Sequence, residues 1–221
     1  MKELKKIKYW LFDLDNTLYS GDTKVFDQVD KKMSKFISEK LKVSIDEAKK
    51  IQKNYFHEYN TTLNGMIKNH DIDANEFLEF VHDVDLSFLK KDDFLKEQIS
   101  KLDGKKIIFT NGSKAHAFNV TSRIGIEQLF DGVFDIVDSD FYPKPSIEPY
   151  KKIIENYKIQ PEYCIFFEDI ARNLKPAYEL GMKTVWIENN EPWAAKYSNE
   201  KFVNFKTKSL TNFLKEINEY S

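Results

Sequence analysis

Two aspartates separated by one residue follow an apolar segment near the start of the chain. Asp13 and Asp15 come directly after "YWLF" in the stretch "YWLFDLDNTLYS". Mg²⁺ is usually held in proteins by one or two carboxylates together with waters and substrate phosphate oxygens. If the chain is extended up to Asp13 and turns at Asp15, the first side chain faces the metal and the second swings towards substrate. We therefore predict Asp13 as a nucleophile that forms an aspartyl-phosphate and Asp15 as the general acid, with its backbone carbonyl as a metal ligand. A plain turn or helix cap is the alternative for this motif alone.

A second apolar segment ends in groups suited to a phosphate. The run "KKIIF" leads into Thr110, Asn111 and Gly112, where a hydroxyl and backbone N–H groups at a helix start can bind phosphate oxygens. An Asn-Gly pair alone indicates a hairpin turn. The helical pattern that follows, ending at Gly125, favours a strand, a turn and then a helix.

A lysine and a second acid pair complete the set. Lys144 stands between two prolines in "YPKPS", and Glu168 and Asp169 end the run "YCIFF". A single lysine is ordinarily a solvated surface charge, but the residue before a proline is restricted to an extended stem. We expect its ammonium to neutralise Asp13 and the phosphate. Because burying two acids is costly without a cation, we expect Glu168 and Asp169 to complete the metal site with Asp13 and Asp15.

The elements that must position these groups follow from the periodicity of the sequence. Short apolar runs at 7–12, 105–110, 132–137, 163–167 and 183–187 alternate with amphipathic stretches. This alternation predicts an α/β fold with a parallel sheet covered by helices on both faces. Ligands bind at the carboxyl ends of the strands in such sheets, so the motif residues should converge at one edge.

Between residues 22 and 101 the apolar spacing is helical instead. One stripe comprises Val29, Met33, Phe36, Ile37 and Leu41. Ser44 with Glu47, and Asp73 with Glu76, have the spacing of helix-capping boxes. An all-helical segment inserted after the first strand is best explained as a cap over the carboxyl edge of the sheet.

We therefore predict two domains. Residues 1–21 and 102–221 form the catalytic core, and residues 22–101 form the helical cap, with short hinges near 20–23 and 102–104. The alternative is that these helices merely extend a single α/β domain.

Length and composition indicate a globular protein. The 221 residues are 41% hydrophobic, enough for one large core and a smaller subdomain. With 34 basic and 36 acidic residues the net charge is -2, so no global field favours a nucleic-acid polymer or a membrane surface as partner. The single Cys164 cannot form an intramolecular disulfide, which fits a reducing compartment. The start "MKELKKIKYWLFDLD" matches neither a signal peptide nor a transmembrane helix, so we expect a cytoplasmic location.

The order of the motifs resembles a known family. "DLDNT", "TNG", "KP" and "ED" at successive strand ends are similar to the four motifs of the haloacid dehalogenase-like hydrolase superfamily. The resemblance implies a Rossmann-like core with a helical cap and Mg²⁺-dependent phosphoryl transfer. It also implies the roles given above to Asp13, Asp15, Thr110, Lys144 and Asp169.

Four longer segments resemble the pyrimidine 5′-nucleotidase subgroup of that superfamily. They are "TTLNGMIKNHDID", "FVHDVDLSFL", "FTNGSKAHA" and "FFEDIARNLKPAYELGM". The chain departs from the subgroup at Glu168, where Asp is common, and at Ile170, where Ser is frequent. The resemblance implies that Asn173 supports the metal or its waters, and that the substrate is a small nucleoside 5′-monophosphate with a pyrimidine base.

Specificity is expected to lie in the cap, because the four motifs handle only phosphate and metal. Tyr55 could stack on a flat base and Asn64 could read its edge, while Thr110, Asn111, Gly112 and Lys144 bind the phosphate. His57 and His82 are expected to be partly exposed helical residues. His116 follows the phosphate turn and is expected near the site, and Arg172 is expected in solvent.

Several other activities share these motifs. A dehalogenase uses an aspartate nucleophile, but its halide leaving group needs no proton and would give Asp15 no task. A sugar-phosphate or phosphoglycolate phosphatase and a phosphosugar mutase would keep the whole catalytic core. A binding or regulatory protein without turnover would be favoured by loss of Asp13, Asp15 or the acid pair, and all are present.

Overall fold

The computed structural model describes residues 2–220, in which a parallel sheet carries a helical domain at one edge. The strands are β1 (Tyr9–Phe12), β2 (Lys105–Phe109), β3 (Gly132–Phe134), β4 (Cys164–Glu168), β5 (Lys183–Ile187) and β6 (Phe205–Thr207). The helices are α1 (Val25–Leu41), α2 (Ile45–Tyr59), α3 (Thr62–His70), α4 (Ala74–His82), α5 (Asp93–Ser100), α6 (Lys114–Ile124), α7 (Ile147–Tyr157), α8 (Leu174–Glu179), α9 (Pro192–Ala195) and α10 (Leu210–Tyr220).

Within the described residues the six strands run in the order β3-β2-β1-β4-β5-β6, and every pair is parallel. The chain moves outward from β1 through β2 to β3 and then crosses back to β4 on the other side of β1. The carboxyl end of β1 is therefore the point at which the strand order reverses, where open α/β sheets bind ligands.

Alternate residues of β1 enter two separate apolar clusters. Trp10 and Phe12 pack with residues of α5, α6 and α10, whereas Leu11 packs with residues of α7 and α8. Because successive side chains of a strand point to opposite faces, the sheet is covered on both sides. This confirms the predicted α/β fold. The short edge strand β6, "FKT", lacks an apolar run and was not predicted.

Helices α1 to α4 form a cap with an apolar cluster of its own. Val29, Phe36 and Ile37 are buried there, and Met33 and Leu41 pack against them. The predicted caps are also present. The Ser44 hydroxyl accepts a hydrogen bond from the N–H of Glu47 at 3.2 Å. The Asp73 carboxylate accepts from the N–H groups of Asn75 at 2.8 Å and Glu76 at 3.4 Å.

Helix α5 packs differently from the predicted cap. Its buried residues Leu95 and Ile99 belong to the cluster on one face of the sheet, and the helix contacts α10. The predicted cap range of 22–101 is therefore too long at its carboxyl end. The amphipathic pattern of α5 shows that one side of the helix packs on apolar surface. It does not show whether that surface belongs to the cap or to the sheet. Among the described residues, no helix is long and apolar enough to cross a membrane.

Candidate active site

The carboxyl end of β1 places two aspartates at the edge of the sheet. The Asp13 N–H donates to the carbonyl of Phe167 at 2.9 Å and so extends the pairing with β4 by one residue. Asn16 adopts a left-handed conformation with φ of 62°, which asparagine tolerates better than most residues. The chain therefore turns directly after the second aspartate. Asp13 is buried, and the Asp15 side chain is 16% exposed.

Lys144 lies at the centre of a buried ionic cluster. Its Nζ donates to Asp13 Oδ1 at 2.7 Å, to Glu168 Oε2 at 2.7 Å and to the carbonyl of Phe109 at 2.8 Å. Asn111 holds the lysine backbone, because its Oδ1 accepts from the Lys144 N–H at 2.9 Å. The lysine is 1% exposed, which is tolerable only because all three ammonium protons have acceptors.

Three buried carboxylates face this single ammonium. Oxygens of Asp13, Glu168 and Asp169 all lie within 4.8 Å of one another. Burial, and then the charge of Glu168, raise the pKa of Asp13 to about 7. Burial raises the pKa of Asp169 well above its usual range. Such a site is short of positive charge, and the excess of carboxylate oxygen fits a divalent cation.

The side chains differ in how free they are to bind a metal. Glu168 Oε2 accepts from Lys144, and its Oε1 accepts from the N–H of Ile170 at 3.1 Å. Asp169 Oδ2 accepts from Asn189 Nδ2 at 2.7 Å, and the side chain makes no contact with Lys144 of the kind that holds Glu168. Glu168 therefore serves first as the anchor of Lys144, and Asp13 and Asp169 are better placed as ligands.

The turn after β2 is the segment that the sequence predicts to bind phosphate. Thr110 is buried, and its Oγ1 accepts from the Gly112 N–H at 2.9 Å. A Cβ added at Gly112 would lie 3.3 Å from Thr110 Oγ1 and 3.5 Å from His82 Nε2. Ser113 then caps α6. The turn thus leads into a helix, not a hairpin, and presents its backbone to the site.

Asp15 is held by two side chains outside the lysine cluster. Its Oδ1 accepts from Tyr19 Oη at 2.5 Å and lies 2.8 Å from His116 Nε2. Burial opposes ionisation of Asp15, but the charge of His116 and these hydrogen bonds lower its pKa to about 2. His82, at the end of α4, stacks on the His116 ring with centroids 4.3 Å apart.

A cavity of about 370 Å³ lies between the cap and this edge of the sheet, within the size range of small-molecule sites. The predicted core residues all line it: Asp13, Asp15, Thr110, Asn111, Gly112, Lys144, Glu168 and Asp169. The facing wall of the cap is largely apolar and includes Phe26, Val29, Met33, Leu63, Phe77 and Val81. A phosphate at the carboxylates would thus have its organic group against the cap.

The similarity of this chain to known proteins agrees with the geometry. A model of the family described as haloacid dehalogenase-like hydrolase matches residues 7–181. The chain belongs to the haloacid dehalogenase-like hydrolase family. It is therefore a hydrolase in a family that uses a divalent metal, and its relatives point to phosphoric monoesters as the substrate class.

Two relatives and one solved structure of this hydrolase family illustrate the similarity. The chain is 31% identical to Phosphate metabolism protein 8 of Saccharomyces cerevisiae, over 96% of this chain and 71% of that protein. It is 26% identical to Glyceraldehyde 3-phosphate phosphatase of Methanocaldococcus jannaschii, over 82% and 85% of the two chains. The crystal structure of the HAD phosphatase from Thermococcus onnurineus superposes with a TM-score of 0.63 at 21% identity, over 96% and 98%.

Two predicted cap residues of this hydrolase lie outside the cavity. The Tyr55 ring packs beside Gly65, and its hydroxyl is hydrogen-bonded to His70 Nε2 at 2.7 Å. Asn64 Nδ2 donates to the carbonyl of Tyr59 at 3.1 Å and so closes the end of α2. Neither Tyr55 nor Asn64 lines the cavity in this structure, and a substrate contact by either stays a prediction. Both side chains pack α2 against α3. The helical pattern of the sequence does not show whether a side chain packs on another helix or faces a ligand.

The cavity is also lined by residues that the sequence analysis did not select as site residues. The Arg172 guanidinium, expected in solvent, lies 4.6 Å from the centroid of the Phe56 ring. Its Nε is buried with no hydrogen-bond partner among the described residues. Trp193 packs edge-on against Phe56 at 5.2 Å. The scarcity of arginine in the chain was the one signal that marked Arg172.

A polar pair in the cap wall was also missed. Gln52 is buried, and its Nε2 donates to Asp30 Oδ1 at 2.6 Å. Ser34 Oγ donates to Gln52 Oε1 at 2.5 Å, which fixes the orientation of the amide. Asp30 and Gln52 both line the cavity. Nothing in their spacing distinguishes them from surface residues of two amphipathic helices.

Proposed function

We propose that this hydrolase is a Mg²⁺-dependent phosphatase of nucleoside 5′-monophosphates that prefers pyrimidine bases. The observation that carries the proposal is the wall facing the carboxylates, where Phe56, Trp193 and Arg172 line the cavity beside apolar cap residues. Aromatic and guanidinium surfaces suit a flat, partly apolar base. A leaving group with many hydroxyls is less suited to this surface, because its hydroxyls would lose their hydrogen bonds to water when they pack against it.

The contacts of Asp13 support its role as nucleophile. Lys144 binds its Oδ1, so the second oxygen is the one left to attack phosphorus. The attack forms an O–P bond to Asp13 and breaks the bond from phosphorus to the 5′-oxygen. Lys144 and the turn at Thr110 lie on the sides of the cavity where the equatorial oxygens of the phosphate gather charge.

Asp15 completes the proposed cycle. Because the pKa of Asp15 is lowered to about 2, its carboxyl is ionised in the free site and must take up a proton in the substrate complex. It gives that proton to the departing 5′-oxygen and then takes one from the water that attacks the phosphorus of the aspartyl-phosphate. Asp13, Asp169 and the backbone carbonyl of Asp15 would hold Mg²⁺, which supplies neutralisation of the phosphate charge when bound.

Residues of the cap and of the adjoining core account for the proposed base preference. Phe56 and Trp193 offer ring surfaces, and the guanidinium of Arg172, whose Nε has no hydrogen-bond partner among the described residues, can donate to a carbonyl oxygen of the base. Asp30 and Gln52 can accept hydrogen bonds from ribose hydroxyls. Pyrimidine nucleotides present one ring, which fits a cavity of about 370 Å³ more easily than two.

A small phosphorylated aldehyde or sugar is the second candidate substrate. The name of the Methanocaldococcus jannaschii relative suggests this class, and the polar pair of Asp30 and Gln52 could bind its hydroxyls. These candidates share every catalytic residue and differ only at the cap wall. A mutase or a cytoplasmic regulator without turnover finds no such specific support, and the cytoplasm stays the predicted location.

The test is release of phosphate from a panel of substrates with Mg²⁺. The panel contains UMP, CMP, dTMP, AMP, GMP, glyceraldehyde 3-phosphate, phosphoglycolate and hexose phosphates. We expect the highest kcat/KM for UMP and CMP. Arg172→Gln should lower kcat/KM for these by about tenfold, the effect of losing one charged hydrogen bond, with little effect on phosphoglycolate. Tyr55→Phe, outside the cavity, is the matched control. A preference for glyceraldehyde 3-phosphate that is insensitive to Arg172 would overturn the nucleotide proposal.

A further inference from the structure

Two buried side chains hold the same oxygen of Asp15. Tyr19 Oη and His116 Nε2 both contact Oδ1, at 2.5 Å and 2.8 Å. Tyr19 is 7% exposed and His116 is 1% exposed. A carboxylate fixed through one oxygen cannot rotate freely about its Cβ–Cγ bond, so its other oxygen keeps a defined direction.

We propose that His116 is a positioning residue for Asp15, and that the cap residue His82 holds it in place. The proposal rests on the proposed role of Asp15 as general acid. It goes further by giving a cap residue a part in proton transfer. In the transfer itself an O–P bond to Asp13 forms and the bond from phosphorus to the leaving oxygen breaks. A proton that the Asp15 carboxyl has taken up in the substrate complex passes to that oxygen.

The surroundings of His116 point to this role. The residue lies in the first turn of α6, and its N–H donates to Ser113 Oγ at 3.3 Å. Its Nδ1 is buried and has no hydrogen-bond partner among residues 2–220. A buried imidazole in a purely structural place would satisfy both nitrogens, since a buried polar group without a hydrogen bond is destabilising. Here the only side-chain hydrogen bond of the ring is to Asp15.

A cap residue packs against one face of the His116 ring. The His82 ring lies nearly parallel to that of His116, with an interplanar angle of 11° and centroids 4.3 Å apart. His82 Nδ1 is also hydrogen-bonded to Ser113 Oγ at 3.0 Å. The end of α4 is thus bound to the first turn of α6 by a stack and a hydrogen bond. Displacing the cap removes the surface against which His116 packs.

These contacts predict a dependence on the leaving group. An alkyl alcohol is a poor leaving group and needs a proton, whereas p-nitrophenolate leaves without one. The quantity to compare is kcat/KM, because it reports steps up to loss of the leaving group and omits hydrolysis of the aspartyl-phosphate. General acid catalysis contributes about 10²–10⁴-fold. If Asp15 is no longer held in position, part of this rate enhancement should be lost, and only for alkyl esters.

The experiment measures kcat/KM of the Mg²⁺-loaded full chain for an alkyl phosphate and for p-nitrophenyl phosphate. We expect His116→Phe to lower the alkyl value by about 10–100-fold and the aryl value by less than about 3-fold. His116→Gln, which keeps a donor, should recover part of the loss and serves as the test if the first variant does not fold. His82→Phe keeps the stack and loses only the hydrogen bond to Ser113, whereas His82→Ala loses both, so we expect His82→Ala to lower the alkyl value more than His82→Phe does.

A double-mutant cycle separates positioning from a structural role. If His116 acts only through Asp15, adding His116→Phe to Asp15→Asn should cause no further loss for alkyl esters. Equal losses for both ester classes, additive losses in the cycle, or full alkyl activity in a folded His116→Phe protein would overturn the proposal. Because these esters need no base recognition, a wrong nucleotide assignment leaves the test intact. Absence of all phosphatase activity in the unmodified protein would instead reject the proposed function.

Discussion

Lys144 and Glu168 form an ion pair of 2.7 Å in which each side chain is 1% exposed. The remaining oxygen of Glu168 accepts the N–H of Ile170. Asp169, next in the chain, has one oxygen held by Asn189. We therefore expect the adjacent acids at this strand end to act differently, the first to hold the lysine and the second to bind the metal.

This division predicts different effects of neutralising the two acids. Asp169→Asn should weaken Mg²⁺ binding by more than about 100-fold, because it removes a charged ligand. Glu168→Gln should weaken it by about tenfold, in the range seen when a residue behind the ligands is changed. Titration calorimetry with Mg²⁺ measures both. Equal losses would show that Glu168 is itself a ligand, as the sequence predicts.

Replacing the nucleophile should stop turnover without unfolding the protein. Asp13→Asn keeps the shape of the side chain and an oxygen that can accept from Lys144, so we expect the thermal midpoint to change little. Phosphate release should fall below detection, since no aspartyl-phosphate can form. Asp22→Asn, an exposed change in the same segment, is the control. Appreciable activity in Asp13→Asn would contradict covalent catalysis.

Some residues of this site could be predicted from the sequence and others could not. The difference depends on whether the residue follows a strand or lies on a helix of the cap. Asp13, Thr110 and Asp169 follow apolar runs, and parallel strands bring their carboxyl ends to one edge whatever the details of packing. The cap residues carry no such constraint. Tyr55 and Phe56 are neighbours on α2, yet only Phe56 faces the cavity. Which face of a helix meets a ligand depends on how α1 to α4 pack together, and that is set by contacts distant in sequence.

Removal of the metal should destabilise the protein as well as inactivate it. Asp13, Glu168 and Asp169 lie within 4.8 Å of one another and share one ammonium, so binding a divalent cation relieves repulsion in the folded state. A hundredfold excess of Mg²⁺ over its Kd stabilises the fold by about 2.7 kcal/mol. We expect the thermal midpoint to rise with Mg²⁺ and to fall with chelator. Asp169→Asn should respond much less, and an equal response would place the cation elsewhere.

The stability of the protein should depend on His82 below neutral pH. Burial, and then the charge of His116, lower the pKa of His82 from 6.5 to about 3. The unfolded chain therefore binds a proton near pH 6.5 that the folded chain does not, so the contribution of neutral His82 is present above pH 6.5 and is lost as pH falls towards 3. Between pH 6.5 and 5 the loss reaches about 2 kcal/mol at 1.36 kcal/mol per pH unit. Urea unfolding with chelator at pH 7.5 and 5 measures it.

His82→Phe is the matched variant, because it keeps a ring on His116 and removes the titrating group. The groups facing His82 (Ser113, His116 and Asp15) are the same in both proteins, so the difference between their pH dependences isolates His82. We expect the variant to lose less stability on acidification than the unmodified chain. Identical dependences would mean that His82 is protonated in the folded protein near its ordinary pKa, and that packing against α6 does not shield its ring from water.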